Sequence, residues 1–353
     1  MTPVFSVVIP CYNAADYIIE TLESVFNQTF DNFEVIVIND GSTDKSIEVL
    51  QEIHDPRLRV VSIQNSGVSV ARNVGIKLAA GIYVAFLDAD DIWNINHLHH
   101  AYQTLKSVRN VNWYTSTCKF DAYVSDSWKN SSPHPHVKIV DYFTNRSARA
   151  TSASSTVIRK DILVKSNLFP ENIKLAEDTL AWATYAIISP IIAVNTTPTV
   201  LYRQHELSTS KSRMKTLTKD VEIFNSLMSH LHKLSLDYPH NQSLKKYFFE
   251  QFSGYFRLLA PKMCFIKTQC IKNRSNKFKT FTGLALCFIL CLPIFMYNLL
   301  RKRKSSPYIS SIKEVLFARR IISKHLKEND SSITIPFQFY VKFFLACQSL
   351  IES

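Results

Sequence analysis

The sequence predicts an α/β fold, a doubly wound and mostly parallel sheet, followed by a mainly helical region of different composition. Three observations lead there. Short β-branched runs alternate with stretches of helical periodicity over the first ninety residues, which implies parallel strands joined by crossover helices. After about residue 212 the chain is helical in character and nearly glycine-free, with Gly254 and Gly283 its only two glycines. The excess positive charge is confined to one segment near the C-terminus.

Taken in order, residues 5–10 form the first strand, and 16–27 a helix whose Ile18, Leu22, Val25 and Phe26 share one face. Residues 33–39 are a second buried strand, followed by the Asp-Gly-Ser-Thr-Asp turn of 40–44 and a helix through Ile47, Val49 and Leu50. Residues 58–63 are a third strand, 68–80 a helix closed by Gly81, and 83–87 a fourth strand. From 96 to about 202 the pattern is mixed, with a polar loop at 130–136 and helical periodicity at 177–188. The composition shift places a domain boundary near 215, giving an α/β domain over 1–215 and a helical, basic region over 216–353.

A chain of 353 residues accommodates this division. Its seven cysteines show no Cys-x-x-Cys pair and no histidines at zinc spacing, so they are expected as reduced thiols. The first residues lack a basic n-region and a long enough apolar run for a signal peptide, and a cytoplasmic setting is expected. Between Lys245 and Lys304 stand thirteen Lys or Arg and one acid, Glu250, so this segment alone accounts for the formal net charge of +12. That concentration argues against nucleic acid as the partner. Inside it, 281–300 is a mostly apolar stretch of about twenty residues, long enough to span a bilayer. Both of its flanks are basic, whereas a spanning helix prefers its positive flank on the cytoplasmic side. The expectation is an association with an anionic membrane surface at the cytoplasmic face of the cell membrane, as a peripheral, re-entrant or single-span segment. A buried core helix is the alternative.

The run Tyr83 to Asp91 is the most informative stretch for function, because a buried strand ends in three carboxylates. Ligands of open α/β sheets bind outside the carboxyl ends of the strands. Carboxylates there are hard oxygen ligands for a divalent cation that also carries phosphates. Asp88 and Asp90 therefore read either as a metal-diphosphate site or as part of a polar turn in which Asp91 caps the segment after it. Asp40 ends the second strand and could face the same crevice.

Five segments together, Val-Val-Ile-Pro-Cys-Tyr-Asn (7–13), Ser-Val-Phe-Asn-Gln-Thr (24–29), Val-Ile-Asn-Asp-Gly-Ser-Thr-Asp (37–44), Ser-Gly-Val-Ser-Val-Ala-Arg-Asn-Val-Gly (66–75) and Leu-Asp-Ala-Asp-Asp (87–91), resemble the family 2 glycosyltransferases. The resemblance covers about the first 210 residues and implies the Rossmann-like GT-A fold. It implies an enzyme that moves a sugar from a nucleotide-diphosphate donor, a UDP-sugar being expected, with inversion at the anomeric carbon. It also implies a divalent cation, Mn2+ or Mg2+, on Asp90 and Asp88, and donor contacts from Pro10, Tyr12, Asp40 and Arg72. The Arg72 guanidinium is suited to a phosphate or a base, or to a surface salt bridge.

The Glu177-Asp178 pair resembles the family's Glu-Asp motif, whose aspartate deprotonates the acceptor hydroxyl. An acid in the first turn of a helix is stabilised as the anion, so Asp178 is expected to be ionised at neutral pH. The Tyr-Arg-Gln-His segment 202–205 resembles a late segment near the donor phosphates, and His205 reads as a phosphate or metal contact or as a structural histidine. His97, His99 and His100 read as a solvated helix face, and Trp93 as core or as a wall of the acceptor site. The Gln-x-x-Arg-Trp motif of processive synthases is absent, so a single addition is expected, to a glycan or lipid-linked acceptor in capsule, O-antigen or exopolysaccharide synthesis. The competing readings are a catalytically degenerate nucleotide-binding scaffold at the membrane and, more distantly, a nucleotidyltransferase.

Overall fold

Strand β1 (Phe5–Cys11) is buried along its whole length, and it lacks polar alternation because both faces of the sheet around it are covered. The computed structural model describes residues 2–205, apart from 124, 150, 167, 172 and 174–176, together with parts of 227–251. After β1 come α1 (Ile18–Phe26), β2 (Phe33–Asp40), α2 (Ser46–Gln51), β3 (Leu58–Ile63), α3 (Val68–Leu78) and β4 (Tyr83–Phe86). The chain continues through β5 (Ile92–Trp93), α4 (His97–Ser107), β6 (Trp113–Asp121), α5 (Asp126–Lys129), β7 (Val137–Asp141) and α6 (Arg146–Arg149). It then forms β8 (Thr156–Arg159), α7 (Lys160–Lys165), α8 (Glu177–Ile188) and β9 (Ile191–Arg203).

The strands form one sheet in the order β3-β2-β1-β4-β8-β6-β9-β5, with β7 also on β9. The first four are parallel, as the alternating pattern predicts. Beyond β4 the expectation of a mostly parallel sheet fails. Strand β8 runs antiparallel to both β4 and β6, and β5 and β7 run antiparallel to β9, while β6 and β9 are parallel. The sheet is mixed because after β4 the chain no longer returns through a single crossover helix to each next strand.

Alternate residues of the parallel strands serve two cores. Val7, Ile9, Val35 and Val37 pack with Ile18, Leu22 and Val25 of α1 and with Leu98 and Ala101 of α4. On the opposite face Val8 meets α3, and Phe86 meets Phe169 and Trp182 at ring-centroid distances of 5.3 and 6.0 Å. Trp93 is fully buried, stacks on His97 at 4.4 Å and donates from Nε1 to the Ser154 carbonyl at 2.7 Å. It is core and forms no acceptor wall. His97 and His100 are buried as well, which corrects the expectation of a solvated face: α4 turns them toward the sheet, where His97 Nδ1 meets Thr199 Oγ1 at 2.8 Å.

The chain divides into two units, Met1–Phe249 and Glu250–Ser353, and nearly all described residues belong to the first. The boundary expected near 215 and the apolar segment 281–300 lie outside the described residues. Among the described residues no helix is long and apolar enough to cross a membrane.

Helix α3 approaches β1 so closely that a Cβ on Gly75 would lie 2.3 Å from Val8 Cγ1. Because β1 is the centre of the sheet and cannot shift, Gly75→Ala is expected to lower stability by about 1–3 kcal/mol, read as a lower urea midpoint of the purified chain.

Candidate active site

The parallel strands end along one edge, and the loops there carry most of the candidate residues. The turn after β1 is braced before any ligand arrives. Asn13, held at a positive φ of 50°, accepts at Oδ1 from the Thr43 N–H at 2.8 Å. The Ala14 N–H donates to Ser46 Oγ at 2.8 Å, and the Ala15 N–H to Asp44 Oδ2 at 3.1 Å. Pro10 is buried within β1, whereas the Tyr12 ring is 51% exposed at the mouth of this turn.

Asp40 closes β2 and is buried. Its Oδ1 accepts from the Ser66 N–H at 2.7 Å and its Oδ2 from the Gly67 N–H at 2.8 Å, at the entry to α3. Both oxygens are thus engaged in holding the loop that presents Arg72. Removing this carboxylate leaves two backbone donors short of a partner, so Asp40→Ala is expected to cost about 1–3 kcal/mol of stability. Thermal unfolding without any ligand checks this, and Asp40→Asn is expected to lose less.

The turn after β4 is fastened from several sides. Thr21 Oγ1 donates to the Ala89 carbonyl at 2.9 Å, and the Asp88 N–H donates to Ser154 Oγ at 3.1 Å. Asp91 is buried, accepting from Ser154 Oγ at 2.5 Å and from the Arg203 N–H at 3.0 Å. Burial and the neighbouring Asp90 and Asp88 charges push its carboxyl well above the usual range. Asp91 therefore caps no helix; it locks the turn. Asp88 and Asp90, each with a side chain 31% exposed, are left facing outward.

Arg72 is no surface residue. Its side chain is 3% exposed and lies over the Phe169 ring at 5.3 Å. One Nη donates to Asp88 Oδ1 at 2.8 Å and the other to Asp178 Oδ1 at 2.7 Å, with Glu177 at 3.9 Å. Its Nε has no partner. A single buried guanidinium thus joins the acid after β4 to the acid in the first turn of α8.

Asp178 stands where the sequence places it, but its ionisation differs from expectation. Burial pushes its carboxyl up to about 7, against the lowering effect of Arg72, with Glu177 and Asp88 adding to the rise. Desolvation outweighs the helix N-terminus here.

His205 follows β9, and its Nε2 meets Asp90 Oδ2 at 2.9 Å while its ring stacks on Tyr17 at 4.6 Å. Burial, then the Asp88 charge, raises the Asp90 carboxyl, and His205 opposes that rise. Among the described residues no three His, Cys, Asp or Glu side chains form a complete metal cluster. The chemistry still fits a divalent cation that takes its remaining ligands from water and phosphate oxygens. Asp88 and Asp90 repel one another's charge, both are accessible, and the buried His205 Nδ1 lacks a partner. The structure brings Asp88, Asp90, Arg72, Asp178 and His205 together and gives Asp40 a scaffold contact. Tyr17, Glu20 and Ser154 join the same edge only through the fold, and no motif in the sequence marks them.

Comparison with known proteins shows the family and the fold. The family model described as glycosyl transferase family 2 matches residues 6–165. A protein of Escherichia coli named UDP-Glc:alpha-D-GlcNAc-diphosphoundecaprenol beta-1,3-glucosyltransferase WfaP is 30% identical over 227 residues, covering 63% of this chain and 86% of that protein. An uncharacterised glycosyltransferase of Rickettsia bellii is 37% identical over 182 residues, covering 50% of this chain and 25% of its own length. The chain thus spans only a quarter of that longer relative. The crystal structure of Staphylococcus aureus TarS 1–349 in complex with UDP-GlcNAc superposes with a TM-score of 0.58 at 22% identity, over 81% of each chain, which shows the shared fold. The chain belongs to glycosyl transferase family 2.

Proposed function

We propose that this chain is a metal-dependent inverting glycosyltransferase that moves one sugar from a nucleotide-diphosphate sugar to a glycan or lipid-linked acceptor in cell-surface polysaccharide synthesis. The observation that carries the reading is the Asp88–Arg72–Asp178 bridge, which ties an accessible pair of candidate cation ligands to a candidate base through one buried charge. WfaP, 86% of which the chain covers, is named for a UDP-sugar donor and a diphosphoundecaprenol-linked acceptor, which supports the same classes of substrate here.

In this reading Asp88 and Asp90, with His205 beside Asp90, hold the cation, whose charge when bound offsets the negative charge gathering on the departing diphosphate. Asp178 takes the proton of the acceptor hydroxyl. The freed oxygen forms a bond to the anomeric carbon from the face opposite the diphosphate, and the carbon–oxygen bond to phosphate breaks with its electron pair leaving on the nucleotide. Tyr12 and Pro10 frame the base, and Arg72 holds the Asp178 carboxylate toward the reacting centre. The domain of 1–215 carries the chemistry, and the basic region of 216–353, through 281–300, holds the enzyme at an anionic membrane surface.

Donor class is tested by thermal unfolding with UDP, GDP, dTDP and CMP, each with and without manganese. A shift for one nucleotide that requires both manganese and Asp90 is expected, and its loss in Asp90→Ala is the check. No shift with any nucleotide, in folded protein, rejects the reading. Asp178→Asn is expected to lower sugar transfer by about 10² to 10⁴ while the nucleotide shift persists.

A base must be unprotonated to act, and the Asp178 carboxyl stands at about 7. kcat/KM is therefore expected to be full above that value and to fall about tenfold per pH unit below it. Since Arg72 lowers this value, Arg72→Met is expected to move the acid limb to higher pH. A pH–rate profile of both proteins measures this directly.

A further inference from the structure

We infer that Arg203, anchored by Glu20, is a positioning residue that sets the affinity of Asp88 and Asp90 for a divalent cation; the inference rests on reading those acids as the cation site. Arg203 ends β9 and reaches the turn after β4 by three routes. Its main-chain N–H donates to Asp91 Oδ1 at 3.0 Å, and its Nε donates to the Asp90 carbonyl at 2.9 Å. Its guanidinium also lies 5.3 Å from the centre of the Tyr17 ring, the same ring that stacks on His205 at 4.6 Å. His205 in turn meets Asp90 Oδ2. One side chain therefore braces the backbone of Asp90 directly and its carboxylate through Tyr17 and His205.

Arg203 is itself held. An Nη hydrogen bonds to Glu20 Oε2 on α1, and the other oxygen of Glu20 accepts from Lys129 Nζ at 2.7 Å. With Nε and this Nη directed at the Asp90 carbonyl and at Glu20, the guanidinium faces the turn and braces it from outside the ligand set. Glu20 and Lys129 touch none of the proposed ligands, yet they fix the group that does.

Residues that orient metal ligands from outside the coordination shell typically change affinity by about 10–100-fold when altered. A role limited to general stability makes a different prediction, because it lowers the unfolding temperature without changing how much cation is needed. The test uses the purified full chain and whichever of UDP, GDP and dTDP shifts the wild type. The thermal shift at a saturating concentration of that nucleotide is followed as manganese is titrated, for wild type, Glu20→Gln and Arg203→Lys.

The expected result is a manganese midpoint raised at least about tenfold in both variants, with a smaller change in ligand-free unfolding temperature. A midpoint within twofold of wild type in Glu20→Gln overturns the inference, and this variant keeps the test decisive if Arg203→Lys fails to fold. A wild type with no manganese-dependent shift is a different outcome: it removes the cation site, and the inference falls with it.

Discussion

The pairing of buried Arg72 with Asp88 and Asp178 is the constraint on which the site's arrangement depends. A guanidinium keeps its proton at any working pH, so burying it requires anionic partners at close range. Here those partners come from two distant parts of the chain, the end of a central strand and the start of α8. Neither acid can leave without stranding the cation, and neither is a freely rotating surface group. The cost of desolvating Arg72 is offset by its two short charged contacts and by the Phe169 face beneath it.

The rest of the edge is built to keep that pairing in register. Asp40 holds the loop before α3, so that Arg72 enters at a fixed point. Ser154 binds the Asp88 N–H and the Asp91 carboxylate, and its carbonyl receives the Trp93 indole, so one residue fixes three points of the turn. Thr21 on α1 adds a fourth at the Ala89 carbonyl. A site made of loops acquires the rigidity of the sheet in this way, through polar contacts that reach from buried positions to the loop backbone.

The sequence made legible what depends on local period and spacing. The first four strands, α3 and α8 fall close to where the alternation of apolar residues puts them, because each buries a face whose pattern is written within a few turns of chain. The mixed half of the sheet was not legible. Strands β6, β8 and β9 pair across forty or more residues, and no local pattern states a strand's direction relative to its neighbour. His97 and His100 look solvated because histidine is polar, yet an aromatic stack and a threonine hydroxyl accommodate His97 in the core. The charge state of Asp178 was misjudged for the same reason: the helix terminus was visible in the sequence, while the burial that outweighs it belongs to the fold.

The acid that ends β2 and the acid that follows β4, the strands on either side of β1, illustrate how little a phenotype reveals by itself. Asp40 spends both oxygens on backbone N–H groups, whereas Asp88 gives one to Arg72 and keeps a partly open side chain. A screen scored only by loss of activity would not tell their alanine variants apart. One variant would have lost the tie on the loop before α3 and the other the acid that pairs with Arg72. Protein abundance measured alongside the screen would report what each loss costs the fold: two unpaired backbone donors at Asp40, and a buried guanidinium short of one partner at Asp88.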